Sequence, residues 1–559
     1  MKPASHHTFS GRHNGSILVL VLMAIVIMSL ATSSYLVLMR NEHIAARNSS
    51  RQLQARMIAE SGMEYLGTFL AQSDSLINQQ GGRISNPTTL QSVLVVDDAV
   101  AAFRGRFTVL APDLLQGYYS GVRYGVEDES TKLNLNTLLR EGADENEARQ
   151  RLLMLPGMNE EIADAILDWI DEDDQVRSFG AESTYYLGLD PPYQPRNGPF
   201  LALDELLMVR GVTPELLYGI DTNRNFSTDT QEQPRGPLLQ LDNSMGRLDR
   251  GWSAYLTIYS AESTIAPTGE AKLNVNSTDL QNLHSQLQQV LGQEATNFII
   301  AYRQYGSSGS PGEEESGGAP VGSSSAWTPD FSVQASNQIS SFLDLVGVQV
   351  TINQQQENQS SGSGSDSQQG PRGPGSQPGG EGRSSSGPQS PSSSSQSGES
   401  SQVLISPWQD DPSTYSSDLL LAFDQLATTE QPLAGRININ QASRPVLRTL
   451  PQFTETTIDQ ILSQRETLID PVNSPQRHAI WLLASGLVTL EEMKELEPLV
   501  CSGGGVFSAQ VVGFFDDDTT RSRIRVVFDC TTGNPEIAEW TDLTQLGPGF
   551  TPLILGAQP

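Results

Sequence analysis

From Ser16 to Met39 the chain runs for 24 residues, SILVLVLMAIVIMSLATSSYLVLM, without one charged side chain. At about 1.5 Å rise per residue a helix of that length reaches ~36 Å, enough to cross the hydrocarbon core of a bilayer. Residues 1–15 carry Lys2, Arg12 and three His but no acid. A secretory signal has a shorter apolar core and a small-residue cleavage site at its far end. Here the small residue, Gly15, precedes the apolar run, so a cut between Gly15 and Ser16 would leave the helix on the mature chain. A plain signal anchor fits the same composition. Lys2 and Arg12 favour a cytoplasmic N-terminus, but Arg40, Arg47, Arg51 and Arg56 follow the span, so charge counting leaves the orientation open.

Residues 40–79 hold no Pro and only Gly62 and Gly67, and Ile44, Leu53, Met57, Ile58, Tyr65, Leu66, Phe69 and Leu70 recur at helical spacing. The spacing predicts one rod from the membrane segment to the Gly81-Gly82 break. A basic leader ending in glycine, an immediate apolar stretch and a long helix resemble the type IV pilin and pseudopilin class. That resemblance implies cleavage by a prepilin peptidase and methylation of Ser16. The class usually carries Glu at the fifth mature position, where it pairs with a neighbouring subunit's amine; this chain has Leu20. An unpaired charge in an apolar bundle is costly, so Leu20 suits a subunit at one end of the assembly.

Strand-like alternation appears at Phe107–Val109 and at Val122, Tyr124 and Val126. A hairpin is predicted from VFSAQVVGFF (506–515) through Asp516-Asp517-Asp518 to RIRVVFD (523–529), with EIAEW as a third strand. Between these strands the pattern basic-apolar-Asn-apolar-Asn occurs three times, as KLNLN (132–136), KLNVN (272–276) and RININ (436–440). Each is followed by a stretch readable as helix, turn, helix, at 152–170, 287–304 and 446–465, which reads as an internal repeat. The expected fold is α+β: a long N-terminal membrane helix, a small pilin-like antiparallel sheet, and a large inserted all-α domain of helix-hairpin-helix-like repeats. The expected boundaries are leader 1–15, long helix 16–80 with 16–39 in the membrane, first strands 81–130, and acidic α-domain with repeat 1 at 131–225. Then follow the repeat 2 module 226–353, a linker 354–401, the repeat 3 module 402–500, and closing strands with a tail at 501–559. The linker contains no Val, Ile, Leu, Met or aromatic residue and has nothing to bury.

Helix-hairpin-helix DNA binders use a similar Asn-rich lead, which makes a membrane-anchored DNA-binding protein of a DNA-uptake or type IV pilus system the rival reading. Their two glycines let backbone N–H groups approach a phosphate. The first copy keeps Gly157 but has Asn159 at the second position, and the third has Gln452 and Thr454. The chain carries 34 Lys+Arg against 65 Asp+Glu, a net charge of −31. Residues 141–190 alone hold 14 acids against Arg149, Arg151 and Arg177. That charge repels a polyphosphate, so no nucleic-acid partner is expected.

The segment DWIDEDDQVRSFGAESTYYLGLDPPYQPRNGPF (168–200) places Asp168, Asp171, Asp173 and Asp174 at a helix end, followed by Glu182. Carboxylates on a loop at such spacing supply the oxygens that calcium takes, and Asp204 and Glu205 stand where they would complete the shell; a solvated acidic loop is the other reading. Asp-Trp-Ile-Asp-x-Asp-Asp at 168–174, Gly-Ala-Glu-x-x-Tyr-Tyr at 180–186, and Pro-Pro-Tyr-x-Pro-x-Asn-Gly-Pro at 191–199 resemble the general secretion pathway protein K family, the minor pseudopilins of type II secretion. The resemblance covers about 1–225, with the final strands agreeing, and implies structural calcium at Asp171, Asp173, Asp174 and Glu182. It also implies a tip subunit in the inner membrane, with its bulk in the periplasm. The implied partners are the I, J and H types of minor pseudopilin, the prepilin peptidase, and at the far end the secretin and secreted substrates.

Six His, three of them before residue 16, and no GxxxxGK[ST] leave little for catalysis, so no enzyme is expected. Cys501 and Cys530 are the only cysteines. In an oxidising compartment they could join across neighbouring strands, which we favour over two free thiols.

Overall fold

The computed structural model describes residues 14–140, 144–227, 232, 249–309, 321–322, 324–353, 401–415, 417–465, 474–517 and 520–557. The expected leader lies outside them except for Asn14 and Gly15, as does the linker at 354–400. The chain divides into two compact units, 1–272 with 430–559, and 273–429.

In the first unit, helix α1 (Asn14–Leu70) contains the apolar run. Among the described residues it holds the one segment long and apolar enough to cross a membrane, with a mean hydropathy of 2.5 and none of that window buried. The second half of α1 is amphipathic in effect. Ala55, Ile58, Leu66, Phe69 and Leu70 enter a core with Phe107, Val109, Phe507, Val511, Val526 and Phe528 of the sheet. The rod is shorter than expected: it stops at Leu70, and a separate turn of helix occupies Asp74–Gln79. Breaking the helix at 71–73 turns Ile77 back into the same core, where it is fully buried.

The sheet has seven strands: β1 (Val93–Val96), β2 (Gly105–Leu115), β3 (Tyr118–Arg123), β4 (Glu127–Asp128), β5 (Val506–Phe515), β6 (Arg521–Asp529) and β7 (Glu536–Asp542). The order is β1-β2-β5-β6-β7, with β3 on β2 and β4 on β5, every pair antiparallel. All ten residues of β5 are buried because both its faces are covered. Phe507, Ala509, Val511 and Phe515 meet α1, whereas Val512 and Phe514 pack with Leu110, Phe226, Phe550 and Leu555. The predicted hairpin and third strand are therefore present, separated from the first strands by the insertion.

The three Asn-rich leads are strands of two residues, and each closes its module by a parallel bridge. Leu133–Asn134 pairs with Leu256–Thr257, Leu273–Asn274 with Leu426–Ala427, and Ile437–Asn438 with Val500–Cys501. In every copy the first Asn side chain accepts from the amide of the second Asn, at 3.0, 2.9 and 3.0 Å. The second Asn pins a distant loop. Asn136 exchanges two bonds with Phe200 (2.9 and 2.7 Å), Asn276 two with Ile339 (2.8 and 2.9 Å), and Asn440 donates to the Gln476 carbonyl at 2.8 Å. The repeat is thus real in three dimensions, and the Asn pattern serves folding.

These bridges move two expected boundaries. The first module ends at Thr257, past residue 225. The second runs to Ala427, because Gln349–Asn353 and Ser401–Ile405 pair antiparallel and join the two sides of the linker. Val321–Gly322 adds a third strand there, so the insertion is helical in its hairpins but not all-α. In the second module the helix Leu280–Tyr305 kinks at Gly292 (φ 77°), the counterpart of Gly157 (φ 74°).

Candidate metal centre

Helices α2 (Glu145–Leu153) and α3 (Glu160–Ile170) form the first hairpin. Asn159 caps α3 through its side chain, accepting from the Ile162 amide at 2.9 Å, and Thr454 does the same for Thr457 in the third copy at 3.2 Å. Those side chains occupy the donors that a phosphate would need. The leads' basic residues are also engaged. Lys132 pairs with Glu127 and Glu129, each at 2.9 Å, and Arg436 with Glu262 and Glu497 at 2.9 and 2.8 Å.

The last turn of α3 buries Trp169 against Tyr186 and Phe200, with its indole N–H donating to Glu205 at 3.1 Å. This fixes the turn and sets Asp168, fully buried, facing the following loop. Asp168, Asp171 and Glu182 each offer a carboxylate oxygen within 4.8 Å of the others. Gly180 passes so close that a β-carbon there would lie 1.8 Å from Asp168 Oδ2, which explains the glycine of Gly-Ala-Glu. Both Glu182 oxygens and Asp171 Oδ1 are buried without a hydrogen-bond partner. Burial, then the charges of Asp168, Asp171, Asp174 and Asp173, push the Glu182 carboxyl up to about 8. Burial also raises Asp168 and Asp171 against the opposing pull of Arg177.

Of the five expected ligands, three converge. Asp173 and Asp174 are exposed and accept from the amides of Gln175 (2.7 Å) and Ser183 (3.2 Å), acting on Glu182 through their charge. Asp204 and Glu205 do not complete the shell: Asp204 meets Tyr218 and Arg224, and Glu205 meets Trp169, Arg196 and the Leu201 amide. The sequence reading missed Arg177, which donates to Asp168 at 2.7 Å and also reaches Asp171. Its position as the sole base among the acids of 168–190 was the available signal. The donor set is all oxygen, partly orphaned and of one sign, which fits a hard cation such as calcium.

Counted from Gly157 and Gly292, the second module has Arg303 at the position of Asp168, and the third has Ser463 there with Arg465 two residues on. Arg303, 3% exposed, donates to the carbonyls of Asn337 (2.7 Å) and Asn276 (3.3 Å); Arg465 donates to that of Ala442 (2.7 Å). Among the described residues, the carboxylate cluster belongs to the first module alone.

The favoured disulfide is not formed: both cysteines are free thiols. Cys501 lies in the parallel bridge beside Ile437–Asn438, while Cys530 follows β6 and packs against the α1 core, so the two side chains serve different packing layers.

A helix long and apolar enough to cross a membrane is laid on an antiparallel sheet, with hairpin modules inserted before the last strands. Residues 131–220 match the family model described as type II secretion system (T2SS), protein K. The type II secretion system protein K of Aeromonas hydrophila is 51% identical over 57 residues, 10% of this chain. The match spans only 17% of that relative's length. The crystal structure of a GspK-GspI-GspJ complex from the enterotoxigenic Escherichia coli type 2 secretion system aligns over 89% of this chain and 99% of the other. The TM-score is 0.33 and the identity 11%, too loose a likeness to fix the fold by itself.

Proposed function

We propose that this chain is a minor pseudopilin of the type II protein secretion apparatus. The observation that carries this reading is the protein K segment, 131–220, set inside an anchored helix-and-sheet body. Prepilin peptidase would cut between Gly15 and Ser16 and leave the apolar helix in the inner membrane, with the remaining chain in the periplasm. The helix would then pack beside sister helices. Leu20 cannot satisfy the amine of another subunit, which favours a place at the tip. Partners there would be the I, J and H types, with the secretin and secreted substrates beyond.

Asp168, Asp171 and Glu182 would hold a structural calcium ion, whose charge would neutralise carboxylates that otherwise repel. Arg177 would keep Asp168 oriented. The association is tested by co-expression with I- and J-type subunits and affinity purification from detergent-solubilised membranes. Stoichiometric recovery of both supports the reading; recovery of neither, with folded protein in hand, refutes it.

A further inference from the structure

The end of the sheet nearest the apolar run of α1 carries an apolar patch. Leu94, Val95 and Val96 of β1, with Val100 and Phe103 of the loop that follows, are each 40–52% exposed. β1 is an edge strand, paired with β2 on one side and bent by a bulge between Leu94 and Val96. Val93 turns into the α1 core, but the other three side chains do not follow it. The run Val93–Val96 holds no charge and no proline, the devices that usually keep an edge strand from a partner.

The height of the patch above a bilayer follows from α1. Arg51 donates to the Ala102 carbonyl at 2.7 Å and to Asp517 at 3.0 Å, with its guanidinium 4.7 Å from the centre of the Phe515 ring. The loop is thus tied to α1 at a residue twelve positions beyond Met39. On a continuous helix that is about 18 Å, and a helical side chain leans back toward the N-terminus, which sets the tie roughly one turn lower, near ~13 Å. The headgroup layer fills about 5–7 Å of that distance. α1 rests on β5, and β1 lies two strands aside, an offset of about 10 Å. A tilt of about 20–30° toward β1, ordinary for a single span, brings Val96, Val100 and Phe103 down to the headgroups. The far end of β2, at Leu115, stands about 30 Å higher along the strand.

The charges near the patch suit that position. Arg104 and Arg106 are held by Asp516, and Asp98 accepts from the Val100 amide at 2.8 Å, so the loop's own polar groups are matched within it. Arg40 and Arg47 are exposed on the stretch of α1 between the apolar run and the patch, within reach of lipid phosphates. Asp97, exposed beside Val96, limits the depth to the headgroup zone.

We propose that Val95, Val96, Val100 and Phe103 dock on the surface of the membrane that α1 crosses, so that the sheet leans onto the bilayer while the subunit is unassembled. The partner is a lipid surface, engaged to the depth of an interfacial apolar patch. The proposal rests on residues 16–39 spanning the membrane.

The test uses the full-length protein in vesicles of phosphatidylcholine and phosphatidylethanolamine. Single introduced cysteines carry a nitrobenzoxadiazole label, and phosphatidylcholine spin-labelled near its headgroup is the quencher. Cys501 is buried and Cys530 partly so, and the unsubstituted protein gives the background. Val100→Cys and Phe103→Cys are expected to show at least about half the quenching of Tyr35→Cys, which lies in the span, and Leu115→Cys none. Phe103→Asp should cut the quenching at Val100→Cys at least about twofold; an unchanged value overturns the patch as the docking element. Quenching at Tyr35→Cys, with both loop labels as unresponsive as Leu115→Cys, overturns the proposal and leaves the span standing. No quenching at Tyr35→Cys overturns the span, and the proposal with it. Loop labels shielded by co-reconstituted I- and J-type subunits, yet unresponsive to the lipid quencher, assign the patch to a neighbouring subunit and overturn the lipid contact.

Discussion

Gly513 of β5 lies directly beneath Ala55 of α1: a β-carbon at 513 would fall 2.3 Å from the Ala55 carbonyl oxygen and 2.5 Å from the Ala59 amide nitrogen. Backbone meets backbone there, so neither side can yield by rotating a side chain. Gly513→Ala is expected to destabilise the protein by about 1–3 kcal/mol or more, read as a lowered denaturation midpoint. Gly82→Ala, which meets nothing within 4 Å but has φ 84°, provides a contrast in which only backbone strain acts.

Asp516, 1% exposed, accepts from Arg104 at 3.2 Å and Arg106 at 2.9 Å at the turn between β5 and β6. Asp516→Ala leaves two guanidinium groups without their buried partner. The expected loss is about 3–5 kcal/mol, larger than for any exposed pair on the chain, by urea denaturation of the detergent-solubilised protein.

Glu182 makes metal-free stability pH-dependent. Its folded value of about 8 lies above its ordinary 4.5, so the proton is held more tightly in the folded state. The contribution is complete below 4.5 and is lost as pH climbs through about 8. Melting temperature in chelator should therefore fall over that window, and Glu182→Gln should flatten this part of the profile. A parent profile that matches Glu182→Gln across the window would contradict the assignment.

Asn136→Ala removes both bonds to Phe200 and leaves that residue's amide and carbonyl unmatched. The expected cost is about 1–3 kcal/mol, seen as faster hydrogen exchange at Phe200. Asn440→Ala should produce its effect at Gln476 instead, since each Asn serves its own module.

Burial pushes the Cys530 thiol up to about 12 and raises Cys501 as well. Native protein at pH 8 should resist iodoacetamide, and both thiols should react once it is denatured without reductant. Denatured protein with no titratable thiol would instead mean that the bridge forms.

Local regularities carried far in the sequence. The uncharged run and its helical continuation located α1, and alternation located β5, β6 and β7, because each depends on residues near one another in the chain. The end of α1 was less legible: residues 71–73 carry no strong breaker, and only the burial of Ile77 explains the turn. The Asn repeat was visible as a pattern, but its purpose depends on Phe200, Ile339 and Gln476, which are 64, 63 and 36 residues away. The acidic loop was found by its charge. Which acids converge was decided by the close pass of Gly180 at Asp168 and by the reach of Arg177, neither of which spacing reveals.

The most direct test of the pseudopilin reading is the intact N-terminal mass of the protein, expressed with and without a prepilin peptidase. The account predicts loss of residues 1–15 with the peptidase and an added methyl group on Ser16. A leader still attached in both samples would contradict it.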